Sequence, residues 1–285
     1  MNLNTSTPTA TDSEASGEQQ TYVFDPVGCI RNTSPTDNNL IVISHNNKQL
    51  LDQSIYDLWC NATYRGATSS GYRFCEEAVR HCKMNKERSI DVYSTEDDAK
   101  EPPPHPNVLV TSHTNKLPAK HQGRVLYSHS VLSGVDSRFD ELRICMEAAF
   151  THVDHRPSDV CGIVVLTDQR CSAHEFARYG AFLSEATLVK RCQGMPVYVL
   201  CCESVLMRLP VGRSLLMTKR YEAQWCSLVP VCGEATVHTS GLKWNLRGEQ
   251  MKFGGLISTS NELVRGENVE VHTDRPLMWS MAVKY

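Results

Sequence analysis

Apolar and polar positions change rhythm twice along this 285-residue chain. Up to residue 38, Ser, Thr, Asn, Gln and Asp dominate, and large apolar side chains are sparse. Such a stretch buries too little surface to order itself, so a disordered tail is expected over 1–38. Order is expected to begin at Leu40-Ile41-Val42-Ile43-Ser44, an apolar run that reads as a buried strand. From Gln49 to Arg65, the residues Leu50, Leu51, Ile55, Leu58 and Trp59 fall near helical spacing. A second helix is expected from Phe74 to Asn85, where Phe74, Ala78 and Val79 share a face. Strands are then expected at 89–93, 107–111 and 124–128, a helix at 140–150, a strand at 159–167 and a helix at 173–190. Strand–helix alternation of this kind predicts an α/β sheet. After Pro196 only strands and turns follow, at 197–202, 205–209, 214–217, 223–229, 235–239, 242–246, 253–258, 269–273 and 278–283. That spacing predicts a β-sandwich or barrel. The expected organisation is therefore an α/β domain over 39–194 followed by an all-β domain over 195–285.

Composition narrows the partners. The chain is 41% hydrophobic and 21% charged, which is globular, and its net charge of −3 speaks against a nucleic-acid partner. No apolar run approaches the ~20 residues that span a bilayer, so no membrane partner is expected. Twelve cysteines occur without a CxxC pair. Cys145, Cys161, Cys201 and Cys226 lie in apolar runs and read as small buried hydrophobes in a reducing compartment, which points to the cytoplasm. The run Thr95-Glu96-Asp97-Asp98-Ala99-Lys100-Glu101 ends in three prolines and reads either as a cation site or as a stiff exposed linker.

Gly241-Leu242-Lys243-Trp244-Asn245-Leu246 and Phe253-Gly254-Gly255-Leu256-Ile257-Ser258-Thr259-Ser260-Asn261 carry the clearest chemistry. With a turn at Arg247-Gly248-Glu249, they read as a β-hairpin with a hydroxyl-rich rim. A Trp among Ser, Thr and Asn can stack a flat heteroaromatic ring and hydrogen-bond its edges. It can equally fill a core beside an ordinary polar loop.

These two stretches, with Trp225-Cys226-Ser227-Leu228-Val229-Pro230-Val231 before them and Thr273-Asp274-Arg275-Pro276-Leu277-Met278-Trp279 after, resemble the thiamine-binding domain of thiamine pyrophosphokinases. The resemblance implies a Rossmann-like α/β catalytic domain followed by a β-sandwich, and a homodimer with thiamine held between subunits. It implies transfer of pyrophosphate from Mg²⁺-bound ATP to thiamine, releasing AMP. Trp244, Asn245, Ser258, Ser260 and Asn261 would be the thiamine contacts.

The N-terminal half departs from that pattern. Trp59, Ala62 and Arg65 keep the family's W-x-x-A-x-x-R frame. The following A-D-G-G-A-N-R motif falls on Thr68-Ser69-Ser70-Gly71-Tyr72-Arg73-Phe74, where Ser69 replaces the acid and Gly71 remains for nucleotide binding. A serine carries no charge toward Mg²⁺. The acid pair of G-D-F-D-S has no equivalent. Asp97 and Asp98 resemble a further acid cluster and are the remaining metal candidates. Ser133-Gly134-Val135-Asp136-Ser137-Arg138-Phe139-Asp140 keeps a glycine, an arginine and an acid of a fourth motif. It implies Gly134 and Arg138 as nucleotide contacts, and Arg138 with Asp140 as catalytic. Asp140 reads equally as the cap of the helix after it, with Arg138 as its ion partner. Residues 151–192 look like an insertion with its own strand and helix. The expectation is a thiamine pyrophosphokinase-family chain that transfers pyrophosphate from ATP to thiamine if it is still active, the lost acids leaning toward little or no such activity, with a catalytically silent thiamine-binding homologue or a non-enzymatic subunit of a larger assembly as the alternative.

Overall fold

The computed structural model describes residues 21–26, 28, 40–45, 53–62, 64–68, 90–94, 108–112, 142–143, 145–147, 149–150, 162–167, 173–192, 195–201, 204–221 and 225–283. In chain order the strands are β1 (Thr21–Phe24), β2 (Leu40–Ser44), β3 (Tyr64–Thr68), β4 (Ile90–Ser94), β5 (Val108–Ser112), β6 (Gly162–Thr167) and β7 (Val197–Cys201). They continue with β8 (Ser204–Leu209), β9 (Gly212–Leu216), β10 (Cys226–Pro230), β11 (Ala235–Ser240), β12 (Arg247–Met251), β13 (Ser258–Asn261), β14 (Val269–Thr273) and β15 (Leu277–Ala282). Helices are α1 (Gln53–Asn61), α2 (Ala173–Leu183) and α3 (Ala186–Cys192), with further helical residues within 142–150.

The strands form two mixed sheets. The larger has ten strands in the order β13-β10-β15-β8-β7-β6-β2-β3-β4-β5. From β7 to β5 every pair is parallel, and from β7 to β13 every pair is antiparallel. The smaller sheet runs β1-β9-β14-β11-β12, with β1 parallel to β9. Among the described residues no helix is long and apolar enough to cross a membrane.

The unbroken apolar runs of β2, β6 and β7 follow from cover on both faces of the larger sheet. One face presents Leu40, Val42, Val164, Leu166, Tyr198, Leu200 and Trp279 to α1 and to the smaller sheet, in one core. The other presents Ile41, Ile43, Ile163, Val165 and Met278 to the helical residues within 142–150 and to α2 and α3. Each such side chain contributes roughly 1.5–3 kcal/mol on burial.

Several expectations change. Residues 21–24, assigned by composition to a disordered tail, form β1; a four-residue strand vanishes in a 38-residue average, yet Phe24 is buried on the rim of the core. The helix expected through Arg65 ends at Asn61, and Arg65 lies in β3. Its Nε donates at 2.8 Å to the Trp59 carbonyl at the helix end, which also accepts from the Ala62 N–H at 3.3 Å. The helix expected over 173–190 breaks at Ser184-Glu185, where Arg143 donates to Glu185 Oε2 at 3.0 Å. Within the segment 151–192, β6 pairs with β2 on one side and β7 on the other, so this apparent insertion supplies a central strand of the sheet. The helix expected at 74–85 and the strand at 124–128 lie outside the described residues.

Trp279 is wholly buried, and its indole N–H has no hydrogen-bond partner among the described residues. Trp279→Ala should therefore cost roughly 3–5 kcal/mol by chemical denaturation. Trp279→Phe should cost well under half of that, because it removes volume but no hydrogen bond. Equal losses in the two variants would refute this reading of the core.

Candidate functional site

β11 ends at Ser240, and the chain turns through Gly241 before returning as β12. Gly241 has φ +78°, and a Cβ there would lie 2.2 Å from the Asn268 carbonyl oxygen, so only glycine fits this turn. The loop closes on itself. Thr239 N–H donates to Leu246 O at 2.8 Å, and Leu246 N–H donates back to Thr239 Oγ1 at 2.8 Å. Asn245 Oδ1 accepts from Leu242 N–H at 3.0 Å and from Thr239 Oγ1 at 3.3 Å.

Asn261, in β13 of the larger sheet, fixes this loop from outside. Its Oδ1 accepts from Trp244 N–H at 3.2 Å and from Glu262 N–H at 2.9 Å. Its Nδ2 donates to Trp244 O at 2.8 Å and to Ser258 Oγ at 3.2 Å. That uses the amide's two acceptor and two donor positions, and the residue is 3% exposed. Asn261 therefore holds the Trp244 backbone.

The indole is 53% exposed, which rules out a core-filling role. Lys243 Nζ sits 4.5 Å from its ring centroid and 2.8 Å from Glu262 Oε2. Ser258 is half-buried and Ser260 exposed. Trp244, Ser258 and Asn261 are thus brought together by hydrogen bonds, with Asn245 closing the same loop.

The expected hairpin does not form. β12 pairs with β11 in the smaller sheet, while β13 pairs with β10 in the larger. Phe253, 73% exposed, lies on the crossing between them. Arg247-Gly248-Glu249 is a bulge inside β12, where Gly248 at φ +100° is the unpaired residue between His238↔Arg247 and Val237↔Glu249. Glycine signals a turn and a bulge alike, so the sequence does not separate them.

A second polar group sits at the carboxyl ends of the parallel strands. The chain runs from β2 outward through β3, β4 and β5, then crosses back to β6 on β2's other side. Between β2 and β6 the strand order reverses direction, and ligands in open α/β sheets bind outside the carboxyl ends at such a point. His45 follows β2 there. Its N–H donates to Leu166 O at 2.8 Å, and its Nδ1 lies 3.1 Å from Thr68 Oγ1 at the end of β3. Its ring meets Tyr179 edge-on at 6.3 Å. Burial, helped by the charge of Arg178, lowers the His45 pKa to about 4. Tyr179 is hydrogen-bonded to Thr167, and burial raises its pKa. Sequence reasoning passed over His45, though a polar Ser44-His45 pair closing a pure apolar run marks a strand's carboxyl end.

The motifs beginning at Thr68 and Ser94 both start from this edge, since β3 and β4 pair in parallel with Thr68 opposite Tyr93. Gly71, Asp97, Asp98, Gly134, Arg138 and Asp140 lie outside the described residues. Among the described residues no cluster of three or more His, Cys, Asp or Glu is placed to hold a metal. Glu175, in the first turn of α2, is already paired with Arg178 at 2.9 Å.

Residues 214–278, which include the whole Trp244 loop and β13, match the family model described as thiamin pyrophosphokinase, vitamin B1 binding domain. Thiamine pyrophosphokinase 1 of Arabidopsis thaliana is 45% identical over 64 residues, 22% of this chain and 24% of the relative. Thiamine pyrophosphokinase 2 of Oryza sativa is 28% identical over 134 residues, 46% of this chain and 47% of the relative. The chain thus spans between a quarter and a half of the length of these curated relatives. The yeast thiamin pyrophosphokinase structure superposes with a TM-score of 0.61 over 92% of this chain and 91% of its own, at 13% identity. That from Candida albicans gives 0.60 over 92% and 93%, also at 13% identity. At such identity the structural likeness establishes the fold alone.

Two outcomes follow from the geometry. Asn261→Ala should lower stability by about 1–3 kcal/mol and speed hydrogen exchange of the Trp244 and Glu262 amides, which lose their buried acceptor. Unchanged exchange at both would mean Asn261 is not the clamp. For His45, the unfolded chain takes up a proton near the ordinary value of about 6.5, whereas the folded chain refuses it until about 4. Its stabilising effect is therefore complete above pH 6.5 and is lost as pH falls toward 4, by roughly 2–4 kcal/mol. Denaturant titrations at pH 7 and pH 4 should show that loss, and His45→Gln should shrink it.

Proposed function

We propose that this chain is a thiamine-binding protein of the thiamine pyrophosphokinase family, with the vitamin on the Trp244 loop. The observation that carries the reading is an indole 53% exposed on a loop clamped by Asn261, inside the segment that matches the vitamin B1 binding domain. In this reading the parallel strands are a Rossmann-like half and the remaining strands a β-sandwich. Lys243 already places a cation on the indole, so the neutral aminopyrimidine ring of thiamine suits the stack better than its cationic thiazolium. Ser258 and Ser260 supply hydrogen bonds to the ring's edge, and Asn245 and Asn261 set the loop geometry. A second copy of the chain covers exposed Trp225, Phe253 and Leu256, giving the homodimer expected of the family. The buried cysteines Cys145, Cys201 and Cys226 suit the reducing cytoplasm.

Pyrophosphoryl transfer from ATP is slow or absent in this reading. Phosphoryl transfer depends on Mg²⁺ and preorganised charge around the phosphates. Ser69 stands where the family has an acid, the G-D-F-D-S pair is missing, and the described donors do not fit a Mg²⁺ site. The competing reading is an active transferase using Asp97 and Asp98 for Mg²⁺, Gly71 and Gly134 for ATP, and Arg138 with Asp140 at the phosphates. Its support is that the chain leaves β4 toward Asp97 at the same sheet edge as Thr68.

Calorimetric titration with thiamine, with and without Mg-ATP and followed by an AMP assay, separates these readings. Thiamine should bind, and little AMP should form. Trp244→Ala should weaken binding about tenfold, for a loss of ~1–2 kcal/mol, without lowering the melting temperature. No thiamine binding by the wild type would end the proposal. Brisk magnesium-dependent AMP formation that is lost in Asp97→Ala and Asp98→Ala would establish the transferase instead.

A further inference from the structure

A pocket of about 360 Å³ opens where β7 begins and β8 ends, at the opposite end of the parallel strands from His45. Tyr22 and Phe24 of β1 wall one side, and Leu188 and Val189 of α3 the other. β1 is the edge of the smaller sheet farthest from β12, so the pocket is also remote from the Trp244 loop. Its volume lies in the range of small-molecule sites, about 300–1,000 Å³.

The pocket carries charge as well as apolar wall. Arg208 and Lys190 line it, and none of its described lining residues is acidic. Arg208 Nε is buried and has no hydrogen-bond partner among the described residues. Burial lowers the Arg208 pKa, and among the described residues the groups that act on the guanidinium are Cys232, Cys192 and Tyr22, none of them a carboxylate. A partly buried guanidinium without a counter-charge is unfavourable, and a bound anion removes that cost. A carboxylate matches the planar fork of Arg in two parallel hydrogen bonds.

We propose that this pocket binds a small anionic amphiphile, its carboxylate on Arg208 and its apolar body against Tyr22, Phe24, Leu188 and Val189. Lys190 at the rim attracts the anion. The inference stands whether or not the Trp244 loop binds thiamine.

Sodium octanoate is a suitable probe, with 1-octanol supplying the apolar body alone and inorganic phosphate the anion alone. Calorimetric titration of the 285-residue chain should show octanoate binding, with octanol and phosphate each at least about tenfold weaker. Arg208→Gln should weaken octanoate about tenfold or more and leave octanol unchanged. Val189→Trp, which fills the pocket from α3, should abolish octanoate binding, and it keeps the test intact should Arg208→Gln fail to fold. Absence of octanoate binding, octanol binding as tightly as octanoate, phosphate binding as tightly as octanoate, or full binding by Val189→Trp would each overturn the proposal.

Discussion

The antiparallel ladder between β7 and β8 is the contact on which the molecule depends. On one side of it every strand of the larger sheet is parallel, and on the other every strand is antiparallel. Because the ladder is continuous, β6 and β7 share one surface with β8 and β15, and the side chains alternate without interruption from Val164 to Tyr198 to Met207 to Trp279. The smaller sheet and α1 then cover the same face, and α2 and α3 cover the reverse. An unpaired edge at this place would expose backbone donors and acceptors in the middle of the core, which is why both strands are buried almost throughout.

That continuity also sets where chemistry can sit. The strand order reverses between β2 and β6, leaving His45, Thr68, Thr167 and Tyr179 together at the carboxyl edge. The Trp244 loop belongs to the smaller sheet, but its backbone is held by an amide from the larger one. Asn261 thus ties the two sheets together at the point where the aromatic ring is offered to solvent. A ring presented by an already ordered backbone loses little freedom when a flat ligand stacks on it.

Much of this was legible from periodicity. The runs at 40–44, 235–239 and 269–273 match strands to within a residue, because a strand covered on both faces reads as an unbroken apolar run and a strand covered on one face as strict alternation. The residues of the Trp244 loop were legible too, although the pairing of their strands was not. Alternation says that Ser258 to Asn261 can be a strand, but not which sheet accepts it. Arg65 was misassigned because a cation beside a helix end reads as helix, whereas it bonds back to that end from the next strand. His45 left only a faint trace, since its environment is assembled from β2, β3 and α2, far apart in sequence.

The central position of β6 bears on how the chain reaches its native state. β2 can pair with β3 early in synthesis, but its other edge stays open until residues 162–167 emerge, and β6 in turn waits for 197–201. β1 waits longer still, for 213–216. Pairings this distant in sequence require loop-closure entropy to be spent before any contact rewards it, so folding is slow relative to a helical protein of equal size. A ribosome-bound chain that has not reached β7 exposes one whole edge of β6, an apolar strand open to pairing with any neighbour. Protection of that edge during synthesis is a requirement written into the strand order itself.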